Sequence, residues 1–500
     1  MEKKERVALI IPPSCFLASE KVLVSLGILR VAAVLEAEGY PVEVLDLNSI
    51  SNYAKVASEY VSTTDAKIFG LTMTTPQFPA AKKVIEAIRL AKPEAHIICG
   101  GPHVTTTCAS HKREKKLGID GRGTRAFRQL LSLADCLVSG DGERAIFVAI
   151  NKDAPPVVDA DELDSPLFIQ APELASYPFP ARHLIQLSDY AYQIDGVSAT
   201  SIVSQMGCPF GCIFCGARLS PSFRKVRIRP IENVLAEIRE IYEVYGYRGL
   251  NFLDDELDVN VNFTSDLLKM ARLRDELKVE FRCRGFLKAE LLTEPMAKAM
   301  YEVGFRSTLI GFESADPRIL INIKKRATVS DNTRALEILK SQKIQCKALL
   351  SIGHPGESQE SIEATKDWVI KMQPDDADLT LIQPYPSTPI FDMAVENSNK
   401  KGEWVYTAAN GDKLYMQDIQ FDQQPLYYKG VPGSYEAFIR TDFLTSEELV
   451  KLRDWAEREI REKLNIPYYP VTPSSAFEHS MGQGFPNSIL RSSASSFVAS

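Results

Sequence analysis

Twice along this chain, short β-branched runs alternate with amphipathic helical stretches, and that alternation leaves few architectures open. From Val7 to about Ile150, strands are predicted at Val7–Ile11, Val42–Leu47, Ile68–Thr72, His96–Cys99 and Cys136–Val138, with helices over Lys21–Glu38 and Pro79–Ala91. Such a series folds as a doubly wound, Rossmann-like parallel sheet, whose ligands bind beyond the carboxyl ends of the strands. From Ala199 to about Phe391 the alternation resumes. Strands are predicted at Ser201–Gln205, Leu250–Asp254, Glu280–Cys283, Thr308–Phe312, Ala348–Ile352 and Leu379–Ile382, and helices at Ile231–Tyr245, Phe263–Leu277, Glu294–Val303, Ser330–Lys340 and Ser358–Met372. Six such units predict a partial (βα)6, TIM-like barrel with its site at the C-terminal rim. The expectation is therefore an α/β protein: a first domain over 1–153, a proline-dotted linker over 154–197, the barrel over 198–393, and a small, mainly helical C-terminal region over 394–486. Thr445–Leu464 has the cap and charge pattern of a helix, and the Ser- and Ala-rich stretch 487–500 is expected to be disordered.

The chemistry concentrates in Cys208-Pro-Phe-Gly-Cys212-Ile-Phe-Cys215, directly after the barrel's first predicted strand. Three thiolates at this spacing can converge on one metal cluster, because Gly207 and Gly211 free the backbone to fold tightly. A cube of four irons held by three cysteines keeps one iron open, and an open metal position is where chemistry occurs. Two alternatives compete: reduced thiols in an unrelated loop, and a zinc site. Zinc wants a nearby fourth ligand, and no Cys or His follows until Cys283.

Other candidate residues sit at predicted strand ends. In the first domain these are Thr72, the segment Gly100-Gly101-Pro-His103-Val-Thr105, and Gly140-Asp-Gly142-Glu143. Glycines there let a backbone approach a large ligand, while His103 either contacts that ligand or caps its turn. The basic-rich stretch Lys112–Arg128 reads as a solvated excursion. In the barrel they are Asp254-Asp255-Glu256, Glu313-Ser314, Lys324-Lys-Arg326, Gly353 within Ile352-Gly-His-Pro-Gly-Glu357, and Pro384 within Gln383-Pro-Tyr-Pro-Ser-Thr-Pro389. Three adjacent carboxylates are costly to bury unless something cationic faces them.

The cysteine loop, with Phe214 ahead of its third cysteine, resembles that of the radical S-adenosylmethionine (SAM) superfamily. The Gly-rich segments before it resemble the cobalamin-binding domain of that superfamily's cobalamin-dependent members, with Gly140-Asp-Gly-Glu143 close to their usual Gly-Glu-Gly-Glu. The resemblance implies a 4Fe-4S cluster on Cys208, Cys212 and Cys215, SAM, and cobalamin. It implies reductive cleavage of SAM to a 5′-deoxyadenosyl radical and, in the methylating members, transfer of a methyl group to an unactivated carbon of a small-molecule or peptide substrate. Cyclisation, rearrangement or oxidation is the alternative, with cobalamin then vestigial or in another part. It also implies that Asp255 or Glu256 meets the SAM amino group, Glu313 and Ser314 the ribose, and Gly353 and Pro384 the adenine. Arg326 either meets the SAM carboxylate or sits in a solvated turn. Thr72, Gly100, Gly101, His103, Thr105, Gly140, Gly142 and Glu143 fall to cobalamin. One departure stands out: no Asp-x-His-x-x-Gly is present, so no histidine of the methionine-synthase kind is expected on cobalt.

Composition narrows the partners. A net charge of −7 and a pI near 5.6 argue against a dedicated nucleic-acid binder. No apolar run is long enough for a membrane span, the N-terminus lacks a signal-peptide pattern, and nine cysteines without that pattern imply reduced thiols in the cytoplasm. An external electron donor of flavodoxin or ferredoxin type is expected to feed the cluster.

Overall fold

The computed structural model describes residues 4–15, 17, 20–216, 218–423 and 436–466. Six strands form the first sheet: β1 (Val7–Ile11), β2 (Val42–Asp46), β3 (Ile68–Thr72), β4 (His96–Gly100), β5 (Cys136–Gly140) and β6 (Val157–Ala160). Their order is β2-β1-β3-β4-β5-β6, all parallel. Strand order therefore reverses at β1, which opens a crevice at the carboxyl ends beside it. β1 is buried along its whole length, as expected of a strand covered by helices on both faces. The sixth strand is a correction, because it lies inside the expected linker. Val157-Val-Asp-Ala160 alternates half-buried and buried positions along the sheet edge and pairs with β5.

A short antiparallel strand, β7 (Gln193–Ile194), leads into β8 (Val197–Ile202). Then come β9 (Gln205–Met206) and β10 (Arg227–Ile228), an antiparallel pair enclosing the cysteine loop. The barrel continues with β11 (Gly249–Phe252), β12 (Arg282–Leu287), β13 (Phe305–Glu313), β14 (Gln345–Ile352) and β15 (Asp376–Leu381). The order β15-β14-β13-β12-β11-β8-β7 is parallel from β8 to β15. This is the half barrel that the six units predict, although its first strand runs over Val197–Ile202 rather than Ser201–Gln205. The difference has a local cause: Val203 and Ser204 interrupt the strand, with the Asp254 carboxylate accepting from the Ser204 N–H at 2.7 Å.

The C-terminal region holds the predicted helix, observed at Ser446–Leu464 with Thr445 as its cap. It also holds an antiparallel sheet that periodicity did not reveal: β16 (Val395–Glu396), β17 (Glu403–Thr407), β18 (Lys413–Gln417) and β19 (Ile439–Thr441). The helix lies along the open edge of the barrel, where Arg453 Nε donates to Leu379 O at 3.1 Å and Arg461 Nη2 to Ala377 O at 3.0 Å. The expected disordered stretch, 487–500, lies outside the described residues.

Buried polar contacts lock the two α/β units together. Arg182, from the linker, is fully buried and donates to Glu237 at 2.6 Å and to Ser201 O at 2.9 Å. Arg229 takes the other oxygen of Glu237 at 2.6 Å. Asp161, just past β6, accepts from Ser220 Oγ at 2.6 Å and from the Ser222 N–H at 2.9 Å. The basic-rich stretch is a solvated excursion only in part, with Lys115, Lys116, Arg125 and Arg128 exposed. Lys112 reaches Asp159 at 2.9 Å, and Arg122 is buried with its guanidinium 3.8 Å from the Phe391 ring centroid.

Removing one member of a buried charge group strands the others, at a cost of about 3–5 kcal/mol. Glu237→Ala is expected to lower stability by about that amount in chemical denaturation. Glu276→Gln, which breaks an exposed pair with Arg239, should change it by about 0–1 kcal/mol.

Candidate functional site

The cysteine loop hangs on two fixed points. Gly207 adopts φ +85°, and a Cβ there would sit 2.1 Å from the Lys225 carbonyl oxygen, so only glycine fits. Its N–H donates to Asp255 at 2.7 Å, tying the loop to the end of β11. Arg218 then folds beneath the loop, donating to Cys208 O at 2.7 Å. Cys208 and Cys212 are buried, and Cys215 is partly so. Burial pushes all three thiols upward, Cys215 to about 12, with nearby Arg218 acting against the shift on Cys208 and Cys215 and Lys325 and Lys288 acting against it on Cys212. Cys215 feels both other thiols electrostatically, so the three share one locality. Among the described residues no three His, Cys, Asp or Glu side chains form a group able to hold a single metal ion. A cubane needs no single-ion position, since each thiolate takes its own iron. The loop thus fits an iron-sulfur cluster: a cationic surround and buried, soft donors.

Around the loop stand the barrel's strand ends. Glu313 closes β13 after a register shift, in a left-handed conformation (φ +63°) that costs a non-glycine residue about 1–3 kcal/mol. The distortion aims its carboxylate at Lys325 Nζ, 3.3 Å away, and at Ser351, whose hydroxyl donates at 2.7 Å. Ser351 also contacts His354 Nε2 at 2.8 Å, and His354 packs edge-on against Phe214 at 5.0 Å. Burial lowers the His354 pKa to about 3, so the ring is neutral and relays orientation rather than charge. A Cβ on Gly311 would fall 2.5 Å from Glu313 Oε1, so glycine keeps room for the Glu313–Lys325 pair. Burial alone would lower the Lys325 pKa, but Glu313, Cys212 and Glu256 together raise it. Glu256 has one oxygen buried without a partner, and burial pushes it up to about 7 against the pull of Lys325 and Lys288. Such an orphan acceptor, at the end of a barrel strand, suits an incoming ammonium.

The second half of the site is a cleft of about 290 Å³ between the domains. Thr72, Gly100, Gly101, Gly140, Gly142 and Glu143 line it from the first sheet, and Gln205, Met206 and Asp255 from the barrel. Its walls are mostly aliphatic, including Leu9, Ile98, Val138 and Ile146, which suits a large ligand with apolar edges. The glycines answer first to the protein's own packing. A Cβ on Gly101 would lie 2.5 Å from Thr72 Oγ1, and one on Gly140 2.6 Å from the Ala160 carbonyl carbon.

Several sequence-picked residues fall elsewhere. His103 is turned away from the cleft, buried between Phe78 and Phe421, with Nδ1 3.0 Å from Thr75 Oγ1. Burial lowers its pKa to about 3. Thr105 accepts from the Gly140 N–H at 3.0 Å and braces the strand end rather than lining the cleft. Ser314 faces helix Gln359–Met372 and meets Thr365 Oγ1 at 3.1 Å. The space beside Gly353 is filled by Ile439 of β19, 2.4 Å from where a Cβ would stand. Pro384 is buried in the loop after β15. Arg326 is exposed and lies 6.0 Å from the Phe210 ring centroid. Lys325, its neighbour, is the buried cation that reaches Glu313. The signal was present in Lys324-Lys-Arg326, but which side chain turns inward depends on Lys324 adopting φ +55°. Lys288, 4.0 Å from the Phe210 ring centroid, and Ser351 left no motif at all.

The comparisons with known proteins follow this division. Residues 202–369 match the family model of the radical SAM superfamily, and residues 16–131 that of the B12 binding domain. An uncharacterized methyltransferase of Pyrococcus horikoshii is 28% identical over 406 residues, covering 79% of this chain and 84% of its own length. An anaerobic magnesium-protoporphyrin IX monomethyl ester cyclase of Cereibacter sphaeroides is 24% identical over 344 residues, covering 65% of this chain but 52% of the relative. The radical SAM methyltransferase TsrM of Kitasatospora setae, solved with a tryptophan substrate and a SAM analogue, superposes with a TM-score of 0.66 at 17% identity. That match covers 96% of this chain and 95% of the other, and it is a likeness of fold. TsrM has also been solved with cobalamin and a [4Fe-4S] cluster bound.

Burial pushes Glu357, 1% exposed at the end of the Gly-His-Pro-Gly-Glu segment, up to about 7. Because its folded value exceeds the unfolded one, its contribution to stability is full below about pH 4 and lost as pH rises through 7. Glu357→Gln should therefore flatten the fall in stability between pH 5 and 8, gaining about 2–3 kcal/mol on the wild type at pH 8. Denaturant midpoints across that range measure it; parallel profiles would show Glu357 to be ionised throughout.

Proposed function

From its place in the radical SAM superfamily, with a B12 binding domain ahead of the barrel, we propose that this chain is a cobalamin-dependent radical SAM enzyme that methylates an unactivated carbon of a small-molecule or peptide substrate. The observation that carries this is the shared cleft. Gly100, Gly101 and Gly140 at the ends of the first sheet face the same space as Gln205, Met206 and Asp255, which lead into and hold the cysteine loop. Cys208, Cys212 and Cys215 would hold the cluster, and Glu256, Glu313 and Lys325 would hold SAM. Thr72, the strand-end glycines and Glu143 would border cobalamin. When bound, these groups supply a radical that removes hydrogen from the substrate and a methyl group to replace it.

The chain's own residues do the positioning. Glu313, fixed by Ser351 and Lys325, presents a carboxylate that can accept both hydroxyls of a ribose, the device used in dinucleotide sites. Glu256, pushed up to about 7 by burial against the pull of Lys325 and Lys288, keeps one oxygen without a partner, which an ammonium would satisfy. Phe214 and His354 wall the loop from the barrel side and keep that region dry. A cytoplasmic location and a flavodoxin- or ferredoxin-type donor complete the proposal, since the cluster needs an electron for each cleavage. Among the described residues no helix is long and apolar enough to cross a membrane. The cyclase relative favours a second outcome from the same radical start, ring closure without methyl transfer.

Replacing Cys208, Cys212 and Cys215 together by Ala should abolish iron binding and 5′-deoxyadenosine formation in anaerobically reconstituted protein. Ala at any of Cys15, Cys99, Cys108, Cys136, Cys283 or Cys346 should leave iron content unchanged. Reductive SAM cleavage by the triple variant would refute the proposal, and SAM with a labelled methyl group separates its two outcomes.

A charge-assisted hydrogen bond contributes about 1.5–3 kcal/mol, so Glu313→Gln should weaken SAM roughly ten- to a hundredfold with iron content intact. Titrating SAM against the paramagnetic signal of the reduced cluster gives the affinity. An unchanged value would remove Glu313 from the ligand.

A further inference from the structure

Resting on that proposal, we infer that the outer side of the cysteine loop is the docking face for an acidic one-electron carrier protein. The cluster must accept one electron per cleavage, and a carrier must come close to where the thiolates near the surface. On this side Pro209 and Gly216 are exposed and Cys215 is partly so.

Four exposed cations from two separate segments converge on this one loop. Arg224 Nη1 donates to Phe210 O at 2.7 Å, and the Lys225 carbonyl oxygen abuts Gly207. From the other side, Arg326 stands 6.0 Å from the Phe210 ring centroid. Lys324 follows Ile323, whose carbonyl accepts from the Ile213 N–H at 3.1 Å. Arg224, Lys225, Lys324 and Arg326 form no ion pair among the described residues. By contrast Arg318, on the adjoining helix, is held by Asp412 at 2.8 Å. On that same helix, Ile321 is 73% exposed.

Four exposed cations on two segments flanking one loop, on a chain whose net charge is −7, make a local reversal of sign. It would attract an acidic partner from a distance and then exclude water at contact. None of these residues lines the interdomain cleft, so a carrier seated here does not occupy that cleft. The transfer balances simply: the reduced carrier loses one electron and leaves, and the cluster gains it. Lys225 and Lys324 have no part in the proposed SAM or cobalamin contacts.

The test mixes reconstituted full-length protein with a reduced flavodoxin of net negative charge and follows cluster reduction by stopped-flow absorbance. Photoreduced 5-deazaflavin, a small reductant that needs no docking face, serves as the second donor. With Lys225→Glu/Lys324→Glu, reduction by flavodoxin should slow at least about tenfold at low salt, with the deazaflavin rate and iron content unchanged. Lys225→Gln/Lys324→Gln should fall between this variant and the wild type. In the wild type, the flavodoxin rate should drop as salt rises, which requires no substitution. An unchanged flavodoxin rate in the charge-reversed protein would overturn the inference, as would equal slowing with both donors, which would mark a disturbed loop. A wild-type protein that holds no cluster reducible by deazaflavin would instead overturn the function on which the inference rests.

Discussion

Gly207 admits no side chain, and the position of everything reactive follows from that. Its left-handed backbone, pressed against the Lys225 carbonyl, turns the chain out of the short strand β9 and into the three cysteines. Its N–H is taken by Asp255, which stands at the end of β11 and in the wall of the interdomain cleft. One hydrogen bond thus couples the loop to the cleft. A side chain at 207 would displace the loop, and with it the three cysteines.

Around this pivot the charges are arranged in opposition. Carboxylates follow one another along Asp254-Asp255-Glu256, and burial raises Asp254 and Glu256 to about 7. Against them stand Lys288 and Lys325, both buried, and Arg218 beneath the loop. Buried groups of this kind are expensive unless paired, and here the pairing is incomplete on the acid side, where Glu256 keeps an unmatched oxygen. The strained conformation of Glu313 belongs to the same pattern. Strain and unmatched charge concentrated at one barrel mouth mark a place built for a ligand rather than for stability.

Much of the architecture was legible in the sequence because alternation of strands and helices leaves a period, and both parallel sheets follow it. The cysteine loop was legible because its spacing is a motif. What escaped had no period or depended on one torsion angle. Strand β6 hid in a proline-dotted stretch, and β16 to β19 are two to five residues long and were masked by a Tyr- and Gly-rich composition. Lys325 was hidden beside Arg326 because the sense of the Lys324 turn decides which of the two points inward. His103 and Ser314 look like ligand contacts in one dimension. In three dimensions the helices behind them take up their polar atoms.

The central claim is that one cleft brings the cobalamin and the cluster into a common space, and their magnetic interaction tests it most directly. With both centres loaded, the cob(II)alamin paramagnetic spectrum should be broadened when the cluster is reduced and sharpen again when it is oxidised. The account predicts that dependence, and predicts its loss in protein lacking the three cysteines. A spectrum that is the plain sum of two independent signals would place the centres apart and contradict it.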